Sequence, residues 1–310
     1  MGFFHLKPSV IKVFKSHGFR VDISLHHWLY FVFYHPYVKL ALAGMRFVEK
    51  YLLWFPPAAW IAKAVFQRYH AKILALPDSK KIFTLDKDVI LGPDNERRII
   101  PFQYANKIIF KGPQNLAVMD CPCKAARGNV CRPYNCCIAV GQDIVQLWME
   151  NCRHYNVRRI DQNEAQSIIS TLRKTGHITM AFLKVGTGGQ TGVICSCCPK
   201  CCVSLEATRV AKKMDPMLTM VAQSGYSVKH DPAKCQACRT CVTICPFSAI
   251  SFQDNAFRYN RHACMGCGLC EENCKGGALS LYVDPNKVLP LDIDLAEKAL
   301  KPDAQNQAQA

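Results

Sequence analysis

The sequence predicts an α+β protein in three parts: a helical amphipathic N-terminal region, a cysteine-rich α/β middle domain, and a small C-terminal domain of two repeated halves. Three features of the 310 residues carry this reading. Apolar, aromatic and basic residues mix with few acidic ones across residues 1–75. Two cysteine loops flank a capped helical stretch within residues 76–226. Across residues 227–284 one cysteine spacing occurs twice, each copy followed by a short apolar run. Residues 285–310 complete the chain as a C-terminal segment and a disordered tail.

The N-terminal region holds two uncharged stretches, the 16 residues Ile23–Val38 and the 12 residues Tyr51–Ala62. A membrane-crossing helix needs about 20 apolar residues for a hydrocarbon core of about 30 Å. Both stretches are too short, and Pro36, Pro56 and Pro57 interrupt them. Residues 1–75 carry ten Lys/Arg against two Asp/Glu, and Trp28, Trp54 and Trp60 stand among them. Aromatic and basic residues in this mixture suit an interfacial surface. Three readings follow: contact with a membrane surface, docking of a partner subunit, or a helical subdomain packed on its own protein.

Nineteen cysteines are an odd number and far above ordinary usage. The opening MGFFHLKPSVIKVFKSHGFR scatters lysines through its apolar residues, with no secretory cleavage site and no twin-arginine signal. The expected location is therefore cytoplasmic, or peripheral on the cytoplasmic face of an inner membrane. In a reducing compartment dense cysteines read as metal ligands rather than disulfides.

In the middle region Cys121, Cys123, Cys131, Cys136 and Cys137 form one loop, Cys152 stands alone, and VICSCCPKCC brings Cys195, Cys197, Cys198, Cys201 and Cys202. Between them Asp161 and Glu164 make a capping box, and Ile168, Ile169 and Leu172 give a helical apolar stripe. The glycine-rich GTGGQTG (Gly186–Gly192) does not match G-x-G-x-x-G, because Thr191 stands where the third glycine belongs. It reads as a lead-in to the second cysteine loop, and no convincing flavin or nicotinamide site is present.

At the C-terminal end Cys235, Cys238, Cys241 and Cys245 spell C-x2-C-x2-C-x3-C before Pro246, and Cys264, Cys267, Cys270 and Cys274 repeat the spacing 29 residues later. This double run resembles the bacterial dicluster ferredoxins. The resemblance implies two 4Fe–4S clusters, with the fourth cysteine of each run serving the other cluster. Cys235, Cys238, Cys241 and Cys274 then hold one, and Cys264, Cys267, Cys270 and Cys245 the second. Paired CxxC steps also make zinc sites, but the third step and the Cys-Pro argue against zinc here. AISF (Ala249–Phe252) and ALSLYV (Ala278–Val283) read as strands of two related halves. One departure stands out: Lys275-Gly276-Gly277 follows Cys274 where the family has proline. It implies a flexible turn, a positive charge near Cys274, and two clusters of unequal potential.

Residues 115–284 are also similar to a little-characterised group of ferredoxin-containing proteins from anaerobes, with a CxCR…C…P…C pattern, a helix and an ICNCC-like run. Cys121-Pro122-Cys123-Lys124, Cys131, Cys137 and ICSCC (Ile194–Cys198) fill the corresponding places. The number of thiols points to one or two additional clusters, on Cys121, Cys123, Cys131, Cys137, Cys195, Cys197, Cys198 and Cys201. The two loops hold ten thiols, more than one cubane uses. Cys136, Cys152 and Cys202 are candidates for plain buried thiols, and Lys200 for a solvated side chain.

The formal charge of +16 raises nucleic acid as a partner. Such binders carry a continuous basic groove with stacking aromatics. Here the basic excess lies at the N-terminal end and cluster thiolates add negative charge at the other, which suits anionic lipid or an acidic protein. The expected function is relay of single electrons through several 4Fe–4S clusters, as a subunit of a larger anaerobic redox complex. The alternative is a redox enzyme whose upstream cluster binds substrate. DPNKVLPLDIDLAEKALK (Asp284–Lys301) reads as an amphipathic segment and PDAQNQAQA (Pro302–Ala310) as disordered.

Overall fold

The computed structural model describes residues 7–16, 21–66, 69–90, 99, 109–128, 131–184 and 191–294. The tail at Pro302–Ala310, residues 186–190 of the glycine-rich stretch and the end of the Asp284–Lys301 segment lie outside the described residues.

The chain starts with helices α1 (Pro8–Ser16), α2 (Val21–Val32), α3 (Tyr34–Phe47, continuing into a π-helical turn Val48–Leu52) and α4 (Pro56–Phe66). The prolines sit where a helix tolerates them. Pro8 and Pro56 open their helices, and Pro36 falls in the first turn of α3, where its missing N–H has no intrahelical partner to lose. Tyr30, Tyr34, Val38 and Leu42 are buried at four-residue spacing, so one stripe of α2 and α3 faces inward. Leu40, Phe47, Trp54 and Trp60 remain exposed. Among the described residues no helix is long and apolar enough to cross a membrane.

A seven-stranded sheet forms the centre, in the order β6-β4-β5-β8-β7-β1-β9. Its strands are β1 (Tyr69–Ile73), β4 (Leu116–Asp120), β5 (Asn135–Val140), β6 (Arg158–Ile160), β7 (Ile178–Lys184), β8 (Thr191–Cys197) and β9 (Val221–Ala222), while β2 (Val89–Ile90) and β3 (Ile109–Phe110) pair apart from it. Strand β1 lies within the stretch that the sequence predicted as helical. It pairs antiparallel with β7 and parallel with β9, so the N-terminal region is stitched into the middle sheet.

Side chains alternate between the two faces, and each face builds its own core. Ala71, Met119, Cys137, Met180, Phe182, Cys195 and Cys197 join the core that also holds Tyr30, Tyr34 and Val38. Helix α7 (Gln142–Asn151) adds Ile144, Leu147 and Trp148 to it. Leu116, Val118, Ile138, Ala181 and Ile194 point the other way, onto α5 (Leu76–Phe83) and α8 (Gln162–Lys174). Helix α8 begins as its sequence predicts: the Asp161 carboxylate accepts from the Glu164 N–H at 2.7 Å. Helix α9 (Val203–Met214) packs beside α4 around Phe66, Ala207 and Ala211.

The C-terminal part pairs β10 (Tyr226–His230) antiparallel with β13 (Leu279–Val283), and β11 (Ile250–Gln253) with β12 (Ala256–Tyr259). Short helices α10 (Thr240–Ile244) and α11 (Leu269–Glu272) follow the first two cysteines of each run and carry the third, Cys241 and Cys270. The molecule is mixed α+β, as its sequence predicts.

Candidate metal centres

The antiparallel register of β10 with β13 lays the end of the second cysteine run beside the start of the first, with His230 opposite Leu279. Cys274 thereby joins Cys235, Cys238 and Cys241 around one small cavity, closed by Phe252, Phe257 and Leu279. Cys245 joins Cys264, Cys267 and Cys270 around the other, closed by Val228, Ile250 and Leu269. The crossing of the fourth cysteine repeats at the hydrogen-bond level. Ala249 N–H donates to Cys245 Sγ at 3.4 Å, and Ala278 N–H to Cys274 Sγ at 3.3 Å, the same offset in each half. Such amide donors stabilise charge on thiolate sulfur.

Gly276 has a steric role rather than one of flexibility. A Cβ there would lie 2.6 Å from the Lys234 carbonyl, so only glycine lets the Cys274 turn close on Cys235. Lys275 is exposed. The Cys238 thiol is held below its ordinary value, first by hydrogen bonding to Thr240 and more weakly by the Lys275 charge.

The two quartets differ in depth. Cys238 is exposed and its partners are half-buried, whereas Cys264, Cys267 and Cys270 are buried. Burial pushes the Cys267 thiol up to about 12, so iron has to displace a tightly held proton. Two cations stand beside this inner quartet. Lys287 Nζ donates to the Cys264 carbonyl at 2.7 Å and to the Tyr226 carbonyl at 3.0 Å, and Arg173 donates to the Cys267 carbonyl.

The family described as 4Fe-4S dicluster domain matches residues 227–275, the segment that contains both cysteine runs. The chain carries a dicluster domain with two 4Fe–4S clusters. Over 88 residues it is 32% identical to hydrogenase-4 component A of Escherichia coli (strain K12), covering 28% of this chain and 41% of that protein. Over 87 residues it is 33% identical to an uncharacterised ferredoxin of Methanocaldococcus jannaschii, covering 27% of this chain and 46% of that one. The chain thus spans less than half the length of either relative.

Upstream of the dicluster domain, sheet register assembles the remaining thiols. Cys137 on β5 lies directly opposite Cys195 on β8, and Cys197 follows two residues on, so all three share the face beneath α3. Cys121 precedes the short helix α6 (Pro122–Ala126). Together with Cys123, Cys198, Cys201 and Cys202 these thiols line a cavity of about 380 Å³, walled opposite by Tyr30, Tyr34 and Tyr37. Every upstream cysteine picked from sequence is there except Cys131. That residue lies on a second groove of about 850 Å³ with His177, whose rim Cys198 and Cys201 also reach.

Two thiols that the sequence left as plain buried cysteines belong to these groups. Cys136 converges with Cys121 and Cys137. Cys202 contacts Cys197, which contacts Cys195 in turn. Cys152 is buried within the core beside Tyr155, away from the cavity lining. Lys200 is exposed on the groove.

Lys124 and His177 were not legible as site residues. Lys124 is 1% exposed, and its Nζ donates to the Pro133 carbonyl at 2.7 Å and meets His177 Nε2 at 3.1 Å. Burial draws the ammonium pKa down, but the combined pull of Cys136, Cys131, Cys121 and Cys198 raises it above its ordinary value. The thiols therefore surround a buried cation, and thiolates bound to metal are its natural counter-charge. Burial, and then the Lys124 charge, hold the His177 imidazole at about 4, so it is neutral. A signal for both existed, since Lys124 stands within the CPCK motif and His177 precedes β7, but only the folded register brings them together.

Proposed function

We propose that the protein relays single electrons through at least three 4Fe–4S clusters, as one subunit of a multisubunit redox complex. In this reading Cys235, Cys238, Cys241 and Cys274 hold the outer cluster of the dicluster domain, and Cys264, Cys267, Cys270 and Cys245 the inner one. A third cluster occupies the upstream cavity, on thiols drawn from Cys121, Cys123, Cys137, Cys195 and Cys197. One observation carries the relay: Met265, Cys267 and Leu269 of the inner loop pack in the same apolar core as Cys137, Cys195 and Cys197. Electrons then pass from the upstream cluster to the inner one and leave by the outer one, where exposed Cys238 offers a partner the shortest approach.

The partner class follows from hydrogenase-4 component A, whose name marks it as a component of a hydrogenase. Exposed Trp54 and Trp60 among basic residues support docking at the cytoplasmic face of a membrane, beside that complex. A second reading, an enzyme with substrate bound at the upstream cluster, draws on the tyrosine wall of the cavity. Iron and sulfide content of anaerobically purified protein tests the count. About 12 iron per chain fits three clusters, and about 8 leaves the upstream cavity without one.

A further inference from the structure

We propose that Cys131, Cys198, Cys201 and His177 form a separate Cys3His site that binds one zinc ion. Cys198 and Cys201 border both the upstream cavity and the groove, and with Cys131 and His177 they meet on the groove side, so the site has a ligand set separate from the relay. Cys198-Pro199-Lys200-Cys201 is a tight CxxC turn in which the Cys201 N–H donates to the Cys198 carbonyl at 3.1 Å. Such a turn presents both thiols to one side, as structural zinc sites require. The Cys201 thiol contacts those of Cys198 and Cys131. The ligand atoms of Cys131, His177 and Cys198 already lie within 4.8 Å of one another.

That spacing suits a single ion. A tetrahedral zinc, with bonds of about 2.3 Å to sulfur and about 2.0–2.1 Å to nitrogen, sets its ligand atoms about 3.5–3.8 Å apart. A cubane places iron and sulfide between its thiolates and needs a wider ring. Neither quartet of the dicluster domain has three thiols this close, among the described residues. Cys121, Cys136 and Cys137 are equally close, but they continue through Cys195 and Cys197 around a cavity, more thiols than one ion can use.

Hydrogen bonding prepares His177 for a metal. Thr175 Oγ1 donates its single proton to the Leu172 carbonyl at 2.7 Å, so it accepts from His177 Nδ1–H at 2.9 Å. The lone pair therefore resides on Nε2, and a partner on the other nitrogen is the usual support of a ligating histidine. Lys124 Nζ now occupies that lone pair at 3.1 Å. A zinc ion replaces it there, leaving Lys124 on the Pro133 carbonyl. Three thiolates, a neutral imidazole and a divalent ion leave one negative charge, which the buried ammonium balances. Binding releases the thiol protons and transfers no electron.

The test is metal analysis of the full chain, expressed without added metal and purified anaerobically. The expected result is about one zinc per chain besides the iron, with a zinc absorption edge fitting three sulfurs and one nitrogen. His177→Ala should lose most of the zinc with iron and sulfide unchanged, and His177→Cys should keep zinc with an all-sulfur shell. Loss of about four iron from His177→Ala or Cys131→Ser, in a chain without zinc, would overturn the proposal and assign these residues to a cluster. A count of 8 rather than 12 iron alongside bound zinc would defeat the upstream cluster and leave the zinc site standing.

Discussion

Arg173 donates from Nε to both carboxylate oxygens of Glu272, at 2.8 and 3.0 Å, and is itself only 1% exposed. The same guanidinium holds the Cys267 carbonyl and reaches the Thr179 hydroxyl at 3.1 Å. One side chain on α8 thus ties the central sheet to the loop of the inner cluster.

Removing this clamp should have two separable effects. Taking one partner from a buried pair costs about 3–5 kcal/mol, and Arg173→Gln should approach the lower figure because the Glu272 side chain is 21% exposed. The variant also loses a cation beside Cys267, so the inner cluster should become harder to reduce. A thermal melt and a redox titration followed by paramagnetic resonance read the two effects. A lower melting temperature with an unchanged potential would make Arg173 a clamp and nothing more.

Crossed ligation predicts which cluster each cysteine controls. Cys274→Ala should damage the outer site of Cys235, Cys238 and Cys241, and Cys245→Ala the inner site. Each variant should lose up to about four iron, seen as loss of one of the two paramagnetic signals of the dicluster domain. If Cys274→Ala instead removed the buried site's signal, the crossed assignment would fail.

Gly276 and Gly277 should respond differently to alanine. At Gly276 a Cβ meets the Lys234 carbonyl at 2.6 Å, so the Cys274 turn has to open and the outer cluster should bind poorly. At Gly277 the backbone has φ +62° but a Cβ meets nothing within 4 Å, so the cost is backbone strain of about 1 kcal/mol. Iron content distinguishes them: Gly276→Ala low, Gly277→Ala near normal.

The dicluster domain was readable because its spacing is local: each run closes its own turn, and the strand after it follows from a short apolar run. The α8 capping box was readable for the same reason. The central sheet was not, because β1 and β9 are short segments far apart in sequence whose pairing registers only in three dimensions. The upstream loops show the boundary. Their thiols were identified from sequence, but Cys131 lies on the groove rather than the cavity, where it meets Cys198 and Cys201. Lys124 stood within the CPCK motif and His177 just before β7, but their meeting at 3.1 Å registers only in the fold.

The N-terminal surface yields the last prediction, and the fold dictates how to test it. Deleting residues 1–75 would strip Tyr34, Val38 and β1 from the main core, so any change in location would reflect unfolding. Point substitutions avoid this, since Trp54 is 79% and Trp60 72% exposed. Exposed Arg46, Lys50 and Lys63 lie along the same helices. Their acidic neighbour, Glu49, is occupied by Arg209 and Lys213 at 2.8 Å each, which hold its carboxyl down at about 2. The surface therefore presents aromatic and cationic groups together, the composition that binds anionic bilayers. Burying a large apolar side chain contributes about 1.5–3 kcal/mol, so Trp54→Ser with Trp60→Ser should weaken binding to phosphatidylserine vesicles at least about tenfold. Raising salt should weaken the native protein further by screening the cations. Vesicle binding that ignores both the substitutions and the salt would remove the membrane from this surface, and leave a protein partner as its occupant.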